Sequence, residues 1–87
     1  GWEKMDAPLK ENNWPTLSAS PVPWSSENPI PKELDESDMK LVIDEFISAT
    51  KMANRAGFDM IELHAAHGYL ISSFISPKSN IRRDKYE

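Results

Sequence analysis

Six of the seven prolines stand within residues 1–34, at Pro8, Pro15, Pro21, Pro23, Pro29 and Pro31. Nothing else in the 87 residues restricts the fold as strongly. Each proline fixes φ and removes a backbone donor, so neither a helix nor a central strand persists through this segment. A short extended piece over residues 17–24 is the most regular structure it allows. The same segment holds all three tryptophans, Trp2, Trp14 and Trp24. Leaving three indoles in water is costly, which admits two readings. The segment is a binding loop or lid laid over another surface, or it is a structural loop anchored by its tryptophans.

From Leu34 the pattern changes to a helical period. Asp35 is an N-cap residue with Asp38 three positions on, as in a capping box, and Leu34 and Met39 are spaced for a hydrophobic staple. Val42, Phe46, Ala49 and Ala53 recur at intervals of three and four, and Met39, Ile43 and Ala56 widen the stripe. Lys40, Asp44, Glu45, Lys51 and Asn54 fill the opposite side, so an amphipathic helix is predicted over 35–56, with Gly57 ending it. "FDMIELHA" follows without an intervening loop and reads as a buried strand over 58–65. Alternation puts Ile61, Leu63 and Ala65 on one face and Met60, Glu62 and His64 on the other. A helix feeding directly into such a strand is half of a βαβ repeat, which makes the fold class α/β.

Residues 66–87 form a loop and a short helix in "YLISSFIS", with Leu70, Phe74 and Ile75 as its expected buried side and Pro77 beyond its end. The basic residues Lys78, Arg82, Arg83 and Lys85 read as a solvated face, with contact to an anionic ligand as the lesser alternative. Net charge is −4, which argues against nucleic acid as a partner. Cysteine is absent, excluding disulfides and thiolate metal sites and suiting a cytoplasmic protein. No apolar run approaches the ~20 residues needed to span a bilayer. The chain opens on Gly1-Trp2 and stops on "RRDKYE", and is expected to be a piece of a longer domain.

The chemistry concentrates in "ELHAAHGYL", residues 62–70. It contains the only two histidines, His64 and His67, and one of the two tyrosines, Tyr69. Two imidazoles a few residues apart can donate hydrogen bonds together to one carbonyl or phenolate oxygen, and so stabilise negative charge developing there. A phenol beside them can deliver a proton to an adjacent carbon. The set suits activation of a conjugated carbonyl, and since none of these groups carries hydride, a redox cofactor would be required. A metal site is the weaker reading: Glu62 is the one nearby third ligand, and the H-x-x-H spacing lacks the i,i+4 geometry of a metalloprotease helix. Histidines satisfied by backbone at a strand end are a third. The residue pattern leaves all three open.

The stretch "AGFDMIELHAAHGYLISSFISPKSNIRRDKYE" closely resembles the old yellow enzyme family of flavin-dependent oxidoreductases. The resemblance rests on Gly57, Phe58, Asp59, Ile61, Glu62, His64, Ala65, Ala66, His67, Gly68, Tyr69 and Leu70. It continues without a gap through Phe74, Ser76, Pro77, Asn80, Arg82, Asp84 and Tyr86. The N-terminal "GWEKMDAPLKENNWPTLSASPVPW" is similar to the loop after the third strand in one branch, that of the reductase domain of anthraniloyl-CoA monooxygenase and salicylyl-CoA 5-hydroxylase.

The resemblance implies a fragment of an eight-stranded (β/α)8 TIM barrel. It would comprise the loop after strand 3 (1–34), helix 3 (35–56), strand 4 (58–65) and the active-site loop with its short helix (66–87). It implies FMN as cofactor, NADH or NADPH as reductant, and an ene-reductase reaction on a conjugated carbonyl that includes acyl-CoA thioesters. In that frame His64 and His67 hold the substrate oxygen beside Ala65 and Ala66, His64 also borders the flavin, and Tyr69 is the proton donor. Glu62 is an inward barrel residue, while Asn80, Arg82 and Asp84 brace the loop. The full-length protein is expected to be a homo-oligomer, and the fragment alone inactive. Glu87 stands where the family begins a Gly-Gly pair. A barrel segment that binds ligand without redox chemistry is the alternative function.

Overall fold

The computed structural model describes residues 8–87, so Trp2 and the start of the proline-rich segment lie outside the described residues. The described residues form four elements: β1 (Leu17–Ser18), β2 (Lys32–Glu33), α1 (Glu36–Ala56) and α2 (Leu70–Ile75). β1 and β2 pair in parallel, Leu17 opposite Lys32 and Ser18 opposite Glu33. The ladder is two residues long. Beyond it Ser20 O accepts the Val22 N–H in a turn and Leu34 O is taken by Arg82 Nη1, while Pro31 stands immediately before β2. The extended piece expected over 17–24 is therefore confined to its first two residues. Its partner strand was not foreseen, since "PKE" has no strand pattern.

α1 follows its sequence signals closely. The Asp38 N–H donates to Asp35 Oδ1 at 2.8 Å, and the Asp35 N–H donates back to Asp38 Oδ2 at 3.1 Å, which closes the capping box. The bond from the Asp38 backbone, with help from the Ser37 hydroxyl, holds the Asp35 carboxyl below its ordinary pKa. Gly57 ends the helix at φ 88°, a left-handed conformation that glycine adopts without Cβ strain, and its N–H reaches Ala53 O and Asn54 O. The apolar stripe, however, is not covered. No residue of α1 is buried, and the helix packs against none of the other three elements.

The same absence of a partner explains the largest difference from the sequence reading. Residues 58–65, expected as a buried strand, run without any ladder partner, and Phe58, Met60, Ile61 and Leu63 are all exposed. A strand is a pairing rather than a property of one segment. With no neighbouring strand among the described residues, this stretch makes no ladder hydrogen bond, its Phe58 N–H donating instead to Ala53 O at the end of α1, and neither alternating face is covered.

What holds the described residues together is a small polar core. Only Ala19 and Leu34 are buried hydrophobic residues, alongside Ser18, Ser20, Ser73 and Arg82. Arg82 is the hub. Its Nη1 donates to Ala19 O at 2.7 Å and to Leu34 O at 2.9 Å, while Nε and Nη2 fork onto the Asp84 carboxylate at 3.0 and 2.6 Å. The Arg82 side chain is 6% exposed, so it does not belong to the solvated basic face expected for Lys78, Arg82, Arg83 and Lys85. The forked bond is the main cause that lowers the Asp84 pKa to about 2, and it raises that of Arg82 in turn. Asn80 adds a second brace, its Nδ2 donating to Phe74 O and Tyr86 O. Asn80, Arg82 and Asp84 thus form the loop brace that the resemblance implied.

α2 is placed by a serine instead of by its apolar side. Ser73 Oγ donates to Leu70 O at 2.6 Å and accepts the Ala19 N–H at 3.0 Å. Ser73 is the buried residue of α2, whereas Leu70 and Phe74 are half-buried and Ile75 is exposed. The apolar side expected to be buried has no opposite surface. Hydrogen bonding to the end of β1 sets the helix position.

Candidate active site

The extended segment ends in a tight reversal. The Tyr69 N–H donates to Ala66 O at 3.2 Å, and the two residues inside the turn, His67 at φ 57° and Gly68 at φ 77°, are both left-handed. Glycine takes that conformation freely, and histidine is among the few side chains that enter it at modest cost. Tyr69 then caps α2 in an extended conformation, with its carbonyl accepting the Ser73 N–H at 2.9 Å.

The consequence is chemical. Reversing the chain within two residues folds His67 and Tyr69 back beside His64. The His64 and His67 rings stand 5.2 Å apart between centroids at 60°, and the His64 and Tyr69 rings 5.2 Å apart at 54°. His64 is the central ring of the three. All three side chains are exposed, Tyr69 to 63%. The set is therefore open on one side to a ligand. A neutral imidazole has one N–H donor, so the pair offers two donors from one small area, with a phenolic O–H beside them.

Of the other residues singled out by sequence, Ala66 closes the turn through its carbonyl, and Ala65 and Glu62 lie exposed along the extended segment. Among the described residues, no group of three or more His, Asp or Glu side chains converges as a metal site would need. No helix among them is long and apolar enough to cross a membrane.

Two further contributors are Ser73, which sequence reasoning missed, and Trp24, which it raised only as part of a segment laid over another surface. Ser73 ties the helix that begins at Tyr69 to Ala19, on the far side of the chain. Trp24 lies over Gly68, its Cζ3 3.6 Å from where a Cβ on that residue would stand. Between them runs an open cleft of about 390 Å³, bounded by the proline-rich segment on one side and by Gly68, Tyr69, Leu70 and Ser73 on the other. "PVPW" offered a signal for Trp24, a stiff segment that presents an indole. Ser73 offered none.

The sequence of this chain is similar to those of known proteins. The chain is 44% identical to an NADPH dehydrogenase of Geobacillus thermodenitrificans over 70 residues, covering 80% of this chain and 21% of the relative. It is 46% identical to an NADH:flavin oxidoreductase of Gibberella zeae over 76 residues, covering 84% and 18%. It is 47% identical to an NADH oxidase of Thermoanaerobacter brockii over 70 residues, covering 80% and 11%. The chain thus spans about a fifth or less of the length of these relatives. The model of the NADH:flavin oxidoreductase / NADH oxidase family matches residues 4–87, taking in the loop that gathers the three rings and the brace around Arg82. A match over nearly the whole chain bears out the resemblance to the old yellow enzyme group, and the chain belongs to the NADH:flavin oxidoreductase / NADH oxidase family.

Proposed function

We propose that these residues form part of the mouth of a (β/α)8 barrel that reduces a carbon–carbon double bond conjugated to a carbonyl, in a ketone, aldehyde or thioester. The observation that carries this reading is the gathering of His64, His67 and Tyr69 at one exposed reversal, with ring centroids 5.2 Å apart. Catalytic groups of such barrels sit where a strand gives way to its loop, which is the place His64 takes if residues 58–65 pair with neighbouring strands.

The family's cofactor is FMN, with NADH or NADPH as reductant. The donor set fits such a group: two imidazoles and a phenol can bind an oxygen and move a proton, but none of them carries electrons. His64, at the end of the extended segment, is the residue here that would border the flavin. When bound, FMN supplies the hydride that reaches the substrate's β-carbon.

The chain's own residues supply the rest. His64 and His67 each donate an N–H to the substrate carbonyl oxygen and hold the negative charge that accumulates there as the β-carbon is reduced. The small side chains of Ala65 and Ala66 leave the backbone between them accessible to the ligand. Tyr69 Oη gives its proton to the α-carbon, completing the addition of hydride and proton across the double bond. Its exposure lets solvent return that proton.

The test has two arms. The full-length protein, reconstituted with FMN and given NADPH or NADH, is expected to reduce cyclohex-2-enone to cyclohexanone. The 87-residue chain alone is expected neither to retain FMN through purification nor to turn over, since the apolar residues of 58–65 are uncovered and the stretch has no ladder partner. A full-length protein that binds FMN yet leaves the enone untouched contradicts the reaction and favours a ligand-binding barrel. A fragment that turns over contradicts the requirement for the remaining strands.

A further inference from the structure

Trp24 sits beside the three-ring cluster and takes no part in the chemistry assigned to it. We infer that the cleft between Trp24 and the start of α2 is a subsite for the flat, apolar end of the substrate, and that Trp24 sets the preference for aryl-substituted conjugated carbonyls. This deepens the proposed reaction and rests on it.

Three observations carry the inference. The cleft is continuous with the reaction site, because Gly68 and Tyr69 belong to both. The walls are also fixed. The Ala19 N–H to Ser73 Oγ bond and the β1–β2 ladder tie the proline-rich side to α2, and Pro29 and Pro31 stiffen the rim. A pre-ordered cleft spends little of its binding energy on closing.

The character of the lining favours an aromatic ring. Trp24, Pro29, Pro31 and Leu70 present flat or aliphatic surface, and Trp24 is 80% exposed, with its indole free to stack. An indole left this open while packed over a glycine is a ready platform for offset or edge stacking with a ligand ring. Glycine at residue 68 serves the turn more than the approach. A Cβ there would stand in ordinary contact with Trp24 Cζ3, at 3.6 Å, whereas φ 77° would strain any side chain. At about 390 Å³ the cleft is of the size that holds a small-molecule fragment, at the lower end of the usual range for ligand pockets.

The experiment compares two enones and one unreactive ligand in the full-length FMN-loaded protein, as wild type, Trp24→Phe and Trp24→Ala. Trp24→Ala is expected to lower the ratio of kcat/KM for trans-cinnamaldehyde over that for cyclohex-2-enone by about tenfold, and Trp24→Phe to restore most of it. Acetophenone, an aryl ketone with no carbon–carbon double bond to reduce, is expected to bind about tenfold more weakly to Trp24→Ala by calorimetry. An unchanged ratio together with unchanged acetophenone affinity overturns the subsite, as does a loss shared equally by both enones. If the wild type reduces neither enone, the proposed reaction fails. The acetophenone titration then still decides whether Trp24 lines an aryl site.

Discussion

Arg82→Met in the full-length protein is expected to cost about 2–4 kcal/mol of stability, more than any other single change in the brace. Methionine matches the length of the arginine stem but donates nothing. It would leave Ala19 O and Leu34 O without the charged donor that reaches them at 2.7 and 2.9 Å. Asp84 is nearly half exposed and can turn to water, so the cost falls mainly on the two carbonyls. Arg82→Lys should recover only part of the loss, because one ammonium cannot fork onto a carboxylate and also serve two carbonyls. The effect is also pH-dependent. The Asp84 carboxyl is held at about 2 in the fold against an ordinary 3.8, so its contribution is complete above 3.8 and is lost as pH falls toward 2. Urea midpoints of wild type and Arg82→Met should therefore lie far apart at neutral pH, and acidification should narrow the gap by the Asp84 share while the larger carbonyl share remains. Equal midpoints at neutral pH would contradict the role given to Arg82.

That brace also shows why parts of the fold escaped the sequence. α1 was fully legible, because its capping box, its apolar period and its terminal glycine are local signals that act within one turn of the residues carrying them. β2 was not, since a two-residue strand has no period and exists only through its partner. Arg82 looked like one of a cluster of exposed charges. Its burial follows from two carbonyls 48 and 63 residues away in sequence, Leu34 and Ala19, which no local pattern reports. The strand expected over 58–65 has the residue pattern of a strand but lacks the neighbours that would make it one.

Tyr69→Phe is expected to have the largest effect on chemistry, slowing reoxidation of the reduced full-length protein by cyclohex-2-enone by about 10²–10⁴-fold. The substitution removes one oxygen and keeps the ring, so the packing beside His64, with centroids 5.2 Å apart, survives. The helix position survives as well, because Tyr69 caps α2 through its backbone without a side-chain bond. What is lost is the proton donor at the α-carbon. Reduction of the protein by NADPH or NADH involves no such proton and should proceed as in wild type, which separates a chemical loss from a folding one. Stopped-flow traces in which both half-reactions are unchanged would remove Tyr69 from its role.

The three residues at this site could be picked out from sequence because the stretch is short and its residue types are rare in the chain. How they meet could not. The reversal depends on His67 and Gly68 both adopting positive φ, and a histidine in that conformation is a minority state that sequence does not announce. Residue chemistry left metal, packing and catalysis open. The close approach of all three rings on an exposed loop is what favours a ligand-facing role for the set, and the family match supplies the redox setting.

The most direct measurement of the central claim is a titration of the oxidised, FMN-loaded full-length protein with a phenol such as 4-chlorophenol, followed by flavin absorbance. Wild type should show a saturable spectral change as the phenol's oxygen settles between the two imidazoles. His64→Ala and His67→Ala should each weaken binding by about tenfold, the worth of one hydrogen bond to a partly charged oxygen, while Tyr69→Phe leaves it nearly intact. Dissociation constants that are the same in wild type and both histidine variants would show that His64 and His67 do not form the oxygen clamp.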